Sequence, residues 1–313
     1  MSGTPTRRRR RFHVSTAVRL VAGVPWFLCS LFLLVLVAAL ATQVAGETVQ
    51  AVVVLGVVVL FAVSGVVVFL PRTEALFAVV LYRYRRPSED EARYLGSVWT
   101  EVTATAGVDG SGYSLWVQDS DEVNAFAAAG HVVAVTRWAL RSLPRQHLAA
   151  VLAHELGHHI GGHAWAGLLT YWYSLPTRFV RRIFYLVAYA VGFVMSVFRG
   201  GVVLLAPAQL LPLVLVAYAA YKIHPALLAL VVVPLLLAWF TRLGERYADR
   251  FAARIGYGPL LIEVFDGWLR SGMDAARRRR GVRANVMATH PSCAARIRGL
   301  QKYLAGQAAR RQA

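Results

Sequence analysis

Lysine is almost missing from this chain: of 34 basic residues only Lys222 and Lys302 are lysine, and the rest are arginine. Acidic residues are also scarce, 16 in all, which leaves a formal net charge of +18. Cysteine is limited to Cys29, inside an apolar run, and Cys293, near the C-terminus. That excludes a disulfide framework and a cysteine-rich metal site, and nothing here calls for an oxidising compartment. Charge of any kind is thin, 16% of 313 residues, while 57% are hydrophobic. So apolar a composition excludes an ordinary soluble domain and points to membrane spans. A basic balance fits either a nucleic-acid surface or the cytoplasmic flanks of such spans. The arginines sit beside apolar runs, with no aromatic interleaving or recognition fold, so no nucleic-acid partner is expected.

What the chain has in quantity is long uncharged sequence. Leu20 to Ala41 carries no charge, and Ala51 to Leu70 is apolar again after a polar gap whose only charge is Glu47. Runs of about 20 residues cross about 30 Å of hydrocarbon at 1.5 Å per residue. Arginine brackets the pair, at Arg7 to Arg11 and at Arg83 to Arg86, so the positive-inside rule places both ends in the cytoplasm. A cleavable leader ending at Ala39-Leu-Ala41 is the rival for the first run, but the run is long for one. A third apolar region, 183–241, is interrupted by Arg199-Gly-Gly201 and Lys222-Ile-His-Pro225. Five parts follow: a basic cytoplasmic tail (1–19), a transmembrane hairpin (20–70), the first part of a water-facing domain (71–182), a second transmembrane region (183–241) and the second part of that domain (242–313). The expectation is a multi-pass protein of the inner or plasma membrane. Its folded domain is cytoplasmic, and its arginine clusters, Arg277 to Arg280 included, meet anionic headgroups.

Local signals order the folded segment. Ser88-Glu-Asp-Glu91 reads as a capping box opening a helix through Tyr94, Val98 and Val102. Gly107 to Gly112 is turn-rich; Tyr113 to Val117 and His131 to Thr136 are short strands, with Asn124-Ala-Phe-Ala between them. Ser142 with Pro144 begins a helix running to about Ala164.

That helix carries His154-Glu-Leu-Gly-His158. Residues four apart share a helix face, so both imidazoles can hold one zinc ion. Glu155 then sits beside the open coordination position, where water needs a general base. The plain alternative is a helix with two incidental histidines. The apolar stripe Leu148 to Leu156 argues against it, because it presents the motif in a packed setting.

A catalytic zinc takes a third protein ligand. A metzincin pattern places a histidine where this chain has Ala164, one residue after His163, so His159 and His163 read as surface or supporting residues. The glutamates further on are Glu245 and Glu263. Glu245 and Asp249 are four apart, so one could ligate while the other orients a histidine through its second ring nitrogen. The plain alternative is a solvated acidic pair beside Arg246 and Arg250.

Four motifs in order, Asn124-Ala-Phe-Ala, Ala153-His-Glu-Leu-Gly-His158, Glu245-Arg-Tyr-Ala-Asp249, and Thr289-His-Pro with Arg296-Ile297, resemble those of the HtpX-like membrane metalloproteases. The likeness covers about residues 90–300 and extends more distantly to the CAAX prenyl proteases. It implies a mainly α-helical, multi-pass membrane protein with a zincin-like (gluzincin) metallopeptidase domain of helices plus a small β-sheet. It implies one Zn2+ per chain held by His154, His158 and Glu245, with Glu155 as the catalytic base and Asp249 supporting a ligand. Asn124, His290 and Arg296 are implied to contact the substrate backbone or the oxyanion.

Ligands on both sides of 183–241 can share an ion only on one side of a bilayer, so that region crosses an even number of times; 225–241 is one crossing, and the other is either 202–221, the preferred segment, or 183–198. The leading expectation is an endopeptidase acting on membrane or misfolded proteins at the cytoplasmic face. An extended substrate would pair with an edge strand, for which 131–136 is the candidate. Processing of a specific lipidated or peptide substrate is the alternative within enzymes. A non-catalytic zinc-binding scaffold is the alternative outside them, and the intact Glu155 argues against it.

Overall fold

The computed structural model describes residues 14–120, 125–128, 130–199, 229–279 and 291–312. Helices dominate, with one small sheet among the described residues. The chain divides into two compact units. One comprises Met1–Leu20, Val66–Leu169 and Ala238–Ala313; the other comprises Val21–Gly65 and Thr170–Leu237.

The second unit contains most of α1 (Val14–Ala41), α2 (Glu47–Ser64) and the later turns of α7 (His163–Arg199). Among the described residues, two stretches are long and apolar enough to cross a membrane: Leu20–Ala41 with 22 residues and Glu47–Phe69 with 23. Only 11% of each is buried within the protein. The helices meet through a ring cluster, Phe27, Phe61 and Tyr173, with centroids 4.9–5.4 Å apart. Hydroxyls add to this: Ser30 Oγ lies 2.6 Å from Thr177 Oγ1, and Trp172 Nε1 donates to Ser64 Oγ at 2.9 Å. Of the region 183–241, α7 takes the beginning and α8 (Ala229–Arg254) the end; the stretch 202–221 lies outside the described residues.

The first unit is a helical domain around a four-stranded sheet. The Ser88 capping box forms as read: its side chain accepts from the Glu91 N–H, and the Glu91 carboxylate accepts from the Ser88 N–H at 2.9 Å. After the short α3 (Pro71–Leu76), the box opens α4 (Glu89–Ala106), which ends at Gly107 with φ +64, a left-handed conformation glycine adopts at little cost. The strands are β1 (Tyr84–Arg85), β2 (Ser114–Gln118), β3 (Ala125–Ala128) and β4 (Val132–Thr136), in spatial order β1-β2-β4-β3. β2 and β4 run parallel, while β3 pairs antiparallel with β4. This corrects the expected edge strand. Residues 132–136 are paired on both sides and buried throughout, so no backbone group there is available to a substrate. The edge on that side is β3.

A short helix α5 (Arg137–Ser142) leads into α6 (Arg145–Ile160), which is buried from Leu148 to His159. The single helix read from Ser142 to Ala164 is therefore broken twice, at Leu143-Pro144 and at Gly162, where φ is +77. Beyond α8 come α9 (Gly258–Arg270), α10 (Met273–Arg279) and α11 (Cys293–Gln312). Leu95, Val98, Leu148, Leu152, Leu156, Leu261 and Phe265 form one core joining α4, α6 and α9.

Candidate metal centre

The site begins with how closely two helices approach. A Cβ on Gly157 of α6 would lie 2.9 Å from the Ala248 Cα and 3.1 Å from the Phe251 Cβ of α8. Only glycine permits that contact. It brings one turn of α6, with His154 and His158, against one turn of α8, with Glu245 and Asp249.

His154 and His158 stand with ring centroids 4.7 Å apart and planes nearly perpendicular at 85°. The Glu245 carboxylate reaches between them, with Oε1 3.2 Å from His158 Nε2 and Oε2 3.6 Å from His154 Nε2. One potential ligand atom from each of the three lies within 4.8 Å of the others, and all three residues are buried. Two donors bound at about 2.0–2.1 Å to a tetrahedral zinc are about 3.3–3.4 Å apart. The two histidine–carboxylate distances, one to each oxygen of Glu245, bracket that value, and two imidazoles with a carboxylate are a donor set that suits such an ion.

Asp249 stands behind His154: its Oδ1 lies 2.9 Å from Nδ1, so the ring donates there and presents Nε2 towards Glu245 and His158. Arg296 of α11 closes the cluster. It donates to Asp249 through Nε at 3.0 Å and Nη2 at 2.5 Å, and its guanidinium lies 3.9 Å from the Phe265 ring centre. The same Nη2 is 3.1–3.2 Å from both nitrogens of His154, against the ring rather than on one lone pair. Arg296 also stands 3.6 Å from Glu245, and with Glu155 three buried carboxylates face one fixed cation, so a divalent cation between neutral imidazoles completes the balance that buried charges require.

Titration follows from this arrangement. Burial and the Arg296 charge push the His154 imidazole down, but hydrogen bonds to Asp249 and Glu245 and the Asp249 charge outweigh them and raise its pKa to about 9. Asp249 is pushed up by burial, yet Arg296 and His154 hold it below the ordinary carboxylate range. Arg296 loses from burial and gains more from Asp249 and Glu245, so it stays charged.

Glu155 is 6% exposed, and its charge acts on Arg296. Its charge, after burial and Tyr82, helps raise the pKa of Tyr84 on β1, a buried neighbour that the sequence gives no reason to single out. His159 is not at the surface: it is 6% exposed on the opposite side of α6, bonded through Nδ1 to the Gly130 carbonyl at 2.8 Å. Glu263 is excluded from the cluster, because it pairs with His147 at 2.8 Å and its side chain is 60% exposed. Glu245 and Asp249 are 2% and 4% exposed, which removes the solvated-pair alternative. Arg296 faces the carboxylates of the site. Asn124 and His290 lie outside the described residues.

No curated protein matches the chain. Residues 89–304 match the family profile described as Peptidase family M48, a span that begins with α4 and contains every residue of the cluster. With that match over more than two thirds of its length, and with a buried His-Glu-x-x-His helix facing a glutamate, the chain belongs to Peptidase family M48, a family of metalloproteases.

Proposed function

We propose that the protein is a zinc-dependent endopeptidase of the membrane, hydrolysing membrane or misfolded proteins at the cytoplasmic face. The observation that carries this reading is the convergence of His154, His158 and Glu245, from two helices far apart in sequence, on one buried point with Glu155 beside it. His154, His158 and Glu245 hold the ion. The chemistry a zinc ion supplies when bound is Lewis acidity, towards water and towards the scissile carbonyl.

The protein's own groups do the rest. Glu155 takes the proton from the attacking water and delivers it to the leaving amine. Asp249 keeps His154 in the tautomer that leaves Nε2 free to ligate, and Arg296 holds Asp249 ionised. The backbone edge of β3 is the site for an extended substrate, in place of the interior strand β4. Asn124 and His290, both outside the described residues, are proposed to hold the substrate backbone or the oxyanion, as the resemblance to the HtpX-like proteases implies.

The membrane part rests on the two apolar helices and on the arginine bracketing of 20–70. If the chain is anchored so, the meeting of His154 with Glu245 demands an even number of crossings between them. Segments 20–70 and 183–241 are then transmembrane, the part of α7 from Thr170 packs beside the first pair, and 71–169 with 242–313 form the cytoplasmic peptidase domain. The test is Glu155→Gln in purified protein: it retains one zinc per chain and loses cleavage of an unfolded protein substrate by at least about 100-fold. Undiminished proteolysis by that variant refutes the role of Glu155.

A further inference from the structure

Between α8 and α11 lies a groove of about 470 Å3. Its floor on α11 includes Gly299 and Gly306, and a side chain started at either glycine would meet no atom within 4 Å. Its walls carry Arg246 and Arg250 from α8 and Lys302 and Arg310 from α11, all four exposed. Asp249 is the one carboxylate lining it, and Arg296 and His154 already engage that group. A charge run on a solvated helix face spreads its cations into water. Here four surround a concave space of the size typical for a small ligand and repel one another across the seam of two helices. An anion with several acceptor oxygens relieves that repulsion, and arginine forks match phosphate in particular.

The course of α8 indicates where such a phosphate comes from. Its uncharged stretch ends at Phe240, and at 1.5 Å per residue Arg246 lies about 9 Å and Arg250 about 15 Å further along the axis. The polar layer of a bilayer is about 5–8 Å deep on each side. The field of an anionic leaflet extends roughly 8–10 Å beyond it. Both arginines are within that reach.

We propose that this groove holds the phosphodiester headgroup of an anionic phospholipid, and that its occupancy clamps α11 to α8 and so steadies Arg296 against His154 and Glu245. The inference rests on the membrane peptidase reading above. Asp249 and Arg296 line the groove and also touch the metal cluster, so lipid binding and the site share one seam.

The full chain in neutral detergent is titrated with dioctanoyl phosphatidylglycerol while the unfolding temperature and peptide cleavage are recorded, each normalised to its value without lipid. Both rise saturably, and dioctanoyl phosphatidylcholine moves neither. In Arg246→Gln/Arg250→Gln and in Lys302→Gln/Arg310→Gln the half-maximal lipid concentration rises roughly fivefold per residue neutralised, with zinc content unchanged. Gly306→Leu fills the groove with the charges intact and weakens the response in the same way.

The proposal is overturned if these variants respond like the wild type. It is equally overturned if glycerol phosphate without acyl chains, an acidic peptide or an oligonucleotide reproduces the effect at the same concentration. A thermal response that the variants lose, in protein showing no cleavage at all, upholds the groove and rejects the peptidase reading.

Discussion

Gly157→Ala is the smallest change that tests how the metal site is built. The added methyl would sit 2.9 Å from the Ala248 Cα, where carbon–carbon contacts settle near 3.5–4.0 Å. The shortfall of roughly 0.6–1 Å is against backbone, so no side chain can swing away, and α6 and α8 must separate by about that amount. Glu245 then withdraws from His154 and His158, now 3.6 and 3.2 Å away, in a site that tolerates about 0.5 Å of error. Overpacking of this kind costs about 1–3 kcal/mol, so the unfolding temperature falls by several degrees. Zinc affinity and kcat/KM fall at least about tenfold, the lower end of the loss seen when a ligand's support is disturbed. The assay is zinc content after dialysis against a weak chelator, alongside peptide cleavage. Gly267→Ala is the control: that glycine is exposed on α9 with nothing within 4 Å, and alanine there is neutral or stabilising by up to about 1 kcal/mol. A Gly157→Ala protein with wild-type zinc content and wild-type cleavage refutes the close-approach argument.

Other outcomes follow from the same geometry. Asp249→Asn removes the charge that fixes the His154 tautomer, and zinc affinity drops about 10–100-fold, read by competition with a chelator. Zinc affinity rises about tenfold per pH unit between pH 7 and 9, because the His154 proton, held with a pKa of about 9, must leave before Nε2 can bind. In metal-free protein the sign is opposite: that raised pKa contributes stability present below about pH 6.5 and lost as pH climbs through 9, visible in denaturant midpoints. Ser88→Ala removes the cap of α4 and costs about 1 kcal/mol in unfolding experiments without changing zinc content.

How legible each part was in the sequence depends on how local its cause is. The Ser88 cap, the turn at Gly107 and the helix of His154 and His158 are written in adjacent residues, and the structure forms all three, the helix with shorter bounds than read. The pair Glu245 and Asp249 is readable as one helix face, but which carboxylate stands against both histidines depends on a contact between α6 and α8 that no local pattern encodes. β3 escapes notice because three alanines and a phenylalanine have little strand preference, and its order comes from pairing with β4. The interior place of β4 comes from parallel pairing with β2 across an intervening strand, a long-range choice. Tyr84 and the seat of Arg296 are likewise products of tertiary packing.

The most direct measurement is the metal content of purified wild-type protein beside Glu245→Ala and His158→Ala, with thermal unfolding checked in each. One zinc per chain in the wild type, and almost none in either folded variant, is the result expected of a site shared between α6 and α8. Full zinc retention by Glu245→Ala would contradict it, since the ion would then owe nothing to α8.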